Sequence, residues 1–151
     1  MAFRLGMVVK RSSGYMPGRS LYGEPFEMDL LQFQILQVSP TREFCRFRVL
    51  RHVDELSSAF LDLASGDEEV PFIRVKFYSW QRDDQPPQVF FKVNAFAGQV
   101  ENYRRLVLMT EVEWIEEIDW IFQEAEFRYV KMQAAAEAGF CPLPREYALL
   151  G

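Results

Sequence analysis

Residues 110–138 read TEVEWIEEIDWIFQEAEFRYVKMQAAAEA, and what they form decides the fold. Ile115, Ile118, Phe122, Ala125, Tyr129, Met132 and Ala136 recur in alternating steps of three and four, the period of one helix face. Thr110 and Glu113 stand where a capping box would sit. There the hydroxyl accepts from one orphan N–H and the glutamate reaches back to another. The spacing predicts a helix over 110–138, stopped by Gly139 and followed by a tail over 139–151. At about 1.5 Å per residue its 29 residues span roughly 43 Å, more than one sheet face of a short chain needs. Such a helix either wraps the whole sheet or lends part of its length to a homodimer.

The helix so read is strongly acidic. Glu111, Glu113, Glu116, Glu117, Asp119, Glu124 and Glu126 all precede its first basic residue. The plain account is a solvated face, with acids favoured near a helix N-terminus. The sharper account is a docking strip of Glu113, Glu116, Glu117, Asp119 and Glu124 around an outward-leaning Trp120, a composition suited to a basic protein partner.

Outward from this segment, the rest of the chain reads mostly as strands. Phe3–Lys10 is a short strand, and Arg11–Pro25, with three glycines and two prolines, is a long loop. Phe26–Val38 alternates with one phase slip after Leu30, which favours a strand carrying a bulge, with a helix the alternative because Met28, Leu31 and Ile35 also fit period 3.6. Phe44–Leu50, Phe72–Trp80 and Val89–Ala97 alternate cleanly. Val53–Ala64 reads as a short helix, because Leu56, Ala59, Phe60 and Leu63 share a face and Gly66 follows. The expected fold is therefore α+β: a single domain over 1–151, mainly an antiparallel sheet of about 4–5 strands, one face covered by the long C-terminal helix.

Alternation gives these strands two faces. Cys45, Phe47, Val49, Ile73, Val75, Phe77, Val89, Phe91, Val93 and Ala95 form an apolar face that belongs to the core. The other face carries Arg46, Arg48, Arg74, Lys76, Tyr78, Trp80, Phe90, Lys92 and Phe96, cations interleaved with rings. The plain reading is a solvated face with guanidinium groups resting on rings. The alternative is a platform on which rings stack bases and cations hold phosphates.

Length and charge set the frame. A chain of 151 residues fits one domain, and 14 Phe, 6 Tyr and 3 Trp supply enough apolar surface to exclude disorder. The formal charge of −5 is unevenly spread. Residues 1–52 hold eight basic and four acidic residues, whereas 110–151 hold three and nine. Cys45 and Cys141 lie far apart and read as reduced thiols. Neither a signal peptide nor a membrane span is recognisable, so the expected compartment is the cytoplasm and no membrane partner is expected.

Catalytic patterns are missing. His52 is the single histidine, which excludes every two-histidine metal site, and no metal or cofactor is expected. The loop GYMPGRS at 14–20 lacks the lysine and spacing of a phosphate loop, and its proline removes a donor. The clusters at 67–69 and 83–84 read as hydrated acidic loops.

Residues 89–103, VFFKVNAFAGQVENY, resemble a stretch of OB-fold single-stranded-DNA-binding proteins, which run from paired aromatics through a small turn to Gln-x-Glu-Asn. That resemblance implies a nucleic-acid partner for the basic and aromatic face. It covers about fifteen residues, and the chain departs from the pattern immediately afterwards. The leading expectation is a non-enzymatic protein-binding chain: a small acidic inhibitor, immunity protein or chaperone-like adaptor of bacterial or phage origin. Single-stranded nucleic-acid binding is the alternative.

Overall fold

In the computed structural model, the residues described are 2–18, 25–39, 44–80, 86–108 and 113–130. Eight strands and one helix follow in the order β1 (Ala2–Arg11), β2 (Gly14–Tyr15), β3 (Met28–Leu30), β4 (Gln32–Val38), β5 (Cys45–His52), α1 (Ser57–Ser65), β6 (Val70–Trp80), β7 (Gln88–Leu108) and β8 (Glu113–Tyr129). All strand pairs are antiparallel, in the order β2-β1-β6-β7-β8-β5-β4.

The two ends of that order meet. β3 and β4 are separated only by Leu31, whose N–H donates to the carbonyl of Leu50 at 2.8 Å. β3 pairs with β1, placing Leu30 opposite Leu5, while β4 pairs with β5, placing Phe33 opposite Val49. The β3–β4 segment therefore carries the sheet from β5 back to β1 and closes it into a barrel. Closure requires staggered strands, and the long hairpin β7–β8 supplies the stagger. The first half of β7 lies between β6 and the end of β8, while the first half of β8 lies between β7 and β5.

The barrel is filled. Met7, Val9, Phe33, Phe47, Val49, Ile73, Val75, Phe91, Val93, Ile118, Trp120 and Phe122 are all buried in one cluster. Phe47, Phe91 and Phe127 meet at ring distances of 6.3 and 6.4 Å, and Phe47 lies 6.0 Å from Phe122. Phe60 of α1 comes in edge-on to Trp120 at 6.3 Å, so the helix packs over the barrel against β7, near where β6 begins. Asp54 sets up the helix start by accepting from the N–H of Leu56 at 2.8 Å, and its own N–H donates to Ser57 Oγ at 2.9 Å.

β7 bends beside Ala97, which has φ 56°, and Gly98. The ring of Phe122 occupies the place where a side chain at residue 98 would project. Only glycine lets the two strands approach there.

The structure corrects the expected α+β fold. Among the described residues the chain is nearly all β, with eight strands instead of 4–5 and one nine-residue helix. Residues 113–129, read as the centre of a long helix, form β8 instead. The reason lies in what each side chain meets. Ile118, Trp120 and Phe122 alternate, and their rings and branched chains suit a pleated core surface. The intervening acids find arginines on neighbouring strands. A helix there would strip both β7 and β5 of their partner. The homodimer expected through that helix loses its basis over 113–130. Its remaining part, 131–138, the tail and the capping Thr110 lie outside the described residues. The short helix and the strands at residues 3–10, 44–50, 72–80 and 89–97 appear near their expected places. The expected strand over 26–38 is instead two, β3 and β4, broken at Leu31 where the alternation slips, and the register irregularity lies further on, between Ile35 and Gln37.

Candidate functional site

The acidic residues of β8 are set by β-pairing, and most of them are not on the surface. Glu116, Glu117, Asp119 and Trp120 are buried, while Glu113 and Glu124 keep exposed carboxylates. Glu116 sits opposite Arg51 of β5 and Arg105 of β7 in the register. The Arg51 guanidinium pairs with Glu116 and, through Nη2, with Asp54 at 2.7 Å, and lies over the Phe60 ring at 5.0 Å. The Tyr103 hydroxyl also donates to Glu116 and accepts from Arg105 Nε at 2.9 Å. Burial, and then the hydrogen bond to Glu116, push the Tyr103 phenol above its ordinary range. Among the described residues, Arg51 Nε and Trp120 Nε1 are buried without a hydrogen-bond partner.

Next along β8, Glu117 is held by Arg48 at 2.5 Å and by Arg104 Nε at 2.6 Å. Asp119 takes both a 2.8 Å and a 3.0 Å bond from Arg48. A buried charge left unpaired is costly, whereas a paired one fixes geometry. These carboxylates thus lock β8 between β5 and β7 and add no reactive group. Arg51, Tyr103 and Arg104 were not singled out in the sequence, because the pairing that gives them partners joins residues far apart along the chain.

The outer sheet face is only partly open. Lys76, Tyr78 and Phe90 are buried. Glu27, itself fully buried, accepts from the Tyr78 hydroxyl at 2.7 and 2.8 Å, and Phe3 packs edge-on against Phe90 at 5.7 Å. Arg46 reaches Glu101 at 3.0 Å and Gln37 at 2.6 Å. The side chain of Trp80 lies outside the described residues. What stays open is a polar cleft of about 430 Å³ lined by Arg74, Lys92, Asn94, Arg128, Tyr129 and Val130. Of these, Arg128 and Tyr129 had no place in the expected cation–aromatic platform, since their strand was read as a helix. Phe96 is 37% exposed beside Phe72, over whose ring Arg74 lies at 5.2 Å.

A second cleft, about 290 Å³, opens between Met28, Leu56, Arg51, Asp54 and His52. His52 is exposed, and its Nδ1 is 3.6 Å from Glu113. Cys45 is a buried free thiol at the far end of the same strand. Seven residues of extended chain put them about 23 Å apart, too far to act as a nucleophile and base. Among the described residues no group of three His, Cys, Asp or Glu could hold a metal ion, and no helix is long and apolar enough to cross a membrane.

Among the described residues, β7 and β8 carry one cluster of exposed apolar side chains. Val107 stands opposite Trp114, and Leu106 opposite Ile115. Trp114 is 58% exposed, with Leu106 and Val107 exposed beside it. The stagger also leaves two strand edges. Among the described residues, 99–108 of β7 pair only with β8, and 123–129 of β8 pair only with β7.

No family model matches the chain, and no curated protein matches it in sequence. Solved structures share its fold. An Hcp protein crystal structure superposes with a TM-score of 0.72 at 12% identity, covering 85% of this chain and 93% of that one. A type six secretion system protein gives 0.68 at 16% identity, covering 88% of each. Secreted protein Hcp3 from Pseudomonas aeruginosa gives 0.65 at 9% identity, over 87% of this chain and all of that one. This likeness, one of fold, replaces the helix-covered α+β sheet with an Hcp-like barrel and overturns the inhibitor reading that went with it.

Proposed function

We propose that the chain is a non-enzymatic structural component of a bacterial type VI-like secretion apparatus, and that it works by binding protein, further copies of itself first. The observation that carries this reading is the β7–β8 hairpin. It presents two strand edges, 99–108 and 123–129, on opposite sides of one ribbon, next to the exposed Leu106, Val107 and Trp114. Open edges with apolar side chains are templates for pairing, and proteins that do not use them usually blunt them. Two different edges make a head-to-tail contact, which closes into a ring or extends as a filament. The shared fold of proteins described as Hcp and type six secretion components supports the setting. The cytoplasm stays the proposed compartment of synthesis.

Gel filtration with light scattering tests the reading. The wild-type chain is expected to run at a multiple of its 17.8 kDa mass. Leu106→Glu with Trp114→Glu, both at exposed positions, is expected to run as single chains with an unchanged melting temperature. A wild type that stays at the single-chain mass at every concentration overturns the reading.

A further inference from the structure

The barrel separates two patches of opposite charge along one strand. Register sets Lys76 opposite Lys92 and Lys92 opposite Arg128, a row of cations on three adjacent strands. Strands lie about 4.8 Å apart, and like charges directly opposite destabilise a sheet. Arg74, one row away and bonded to Asn94 at 3.0 Å, adds a further cation to the same 430 Å³ cleft. Glu126 offsets Arg128 at 2.5 Å, but among the described residues Lys92 has no ion-pair partner. Lys76 is buried and does not line the cleft, so the positive charge that the groove leaves uncompensated among the described residues is that of Lys92, in a chain whose net charge is −5.

The complementary patch precedes β6. Of the loop Asp67-Glu68-Glu69, Glu68 is engaged by Arg11 at 2.8 and 2.9 Å. Asp67 and Glu69 are exposed and, among the described residues, have no partner. The six residues of extended chain from Val70 to Lys76 place the loop about 20 Å from the cation row, roughly two Debye lengths at physiological salt. Within one barrel the two patches cannot meet. Between barrels they can.

We infer that the groove at Lys92 and Arg128 receives Asp67 and Glu69 of a second copy of this chain. The inference rests on the self-association proposed above and names the surfaces that join. A face of one copy meets an end of the next, so each copy still offers one free face and one free end. The ion pairs are rim contacts, which set register and the salt dependence of association.

Sedimentation of the full chain at about 50 mM and about 500 mM salt tests it, since screening across that range falls mainly on exposed charges. The wild-type association constant is expected to fall at least about tenfold at the higher salt. Lys92→Glu with Arg128→Glu should weaken self-association by a similar factor, and so should Asp67→Lys with Glu69→Lys. An equal mixture of the two variants should recover association, because the reversed face of one then fits the reversed loop of the other. Circular dichroism melting checks that each variant is folded, and the salt arm on the wild type needs no variant. If the wild type associates equally at both salts and both variants associate like it, the inference fails while the self-association reading stands. A wild type that is monomeric throughout defeats both. Salt-sensitive binding of a fluorescent single-stranded oligonucleotide that Lys92→Glu abolishes, in a chain that stays monomeric, assigns the groove to nucleic acid instead.

Discussion

Glu116 shows how a residue that looks solvated in sequence becomes structural. Its carboxylate, fully buried, gathers Arg51 from β5 and Tyr103 from β7. Glu116→Ala removes the buried one of the two carboxylates that hold a guanidinium itself 2% exposed; Asp54 remains, so the loss should fall at or below the about 3–5 kcal/mol of a fully stranded buried charge. Urea unfolding should show that loss as a lower midpoint with an unchanged slope. Replacing both partners, Arg51→Met with Glu116→Leu, should cost less than the single change, because no charge is left stranded. Tyr103 adds a pH signature. Its folded phenol ionises above the ordinary value near 10, so the stabilisation it gives is complete below that value and is lost as pH rises through the folded one. Tyr103→Phe should therefore flatten the alkaline fall in stability, and thermal melts from neutral pH upward measure it. An alkaline fall identical to wild type would assign it to other groups. None of this was legible in the residues themselves: Glu116 and Arg51 stand 65 positions apart.

Among the elements, the strands at Phe72–Trp80 and Val89–Ala97 were legible because Ile73, Val75 and Phe77, and Phe91, Val93 and Ala95, face the core at every second position, although Lys76, Tyr78 and Phe90 between them are covered as well. β8 was misread because a central strand obeys a different rule. Its flanks are covered by β5 and β7, and its acids are neutralised from both sides, so polar residues no longer mark an exposed face. Ile115, Ile118 and Phe122 then imitate a helical stripe, although the density of Trp, Ile and Phe over 114–127 is the composition of a strand. Hydrogen exchange separates the two states directly. In the barrel, amides of 115–122 are paired on both sides and should exchange slowly, whereas every second amide of 123–129 faces an open edge and should exchange fast. Uniform protection through 113–129 would mean a helix.

For the whole molecule, closure is what no local pattern could announce. It depends on a one-residue break at Leu31 that hands the sheet from β4 to β3, and on a stagger in the β7–β8 hairpin. The same stagger that closes the barrel leaves the two edges unpaired among the described residues, and the length of β6 keeps the cation row apart from the acidic loop. The uneven charge of the sequence was legible as a count along the chain. Its arrangement in space was not, since Lys92 and Arg128 come from parts of the chain with a net negative balance. The proposed role follows from these edges and patches as a set: a barrel with two unlike joining surfaces. Native mass spectrometry of the full chain over a range of concentrations tests that claim most directly. The account predicts integral multiples of the single-chain mass that grow with concentration and shrink with salt. A spectrum holding only the single-chain mass at every concentration would contradict it.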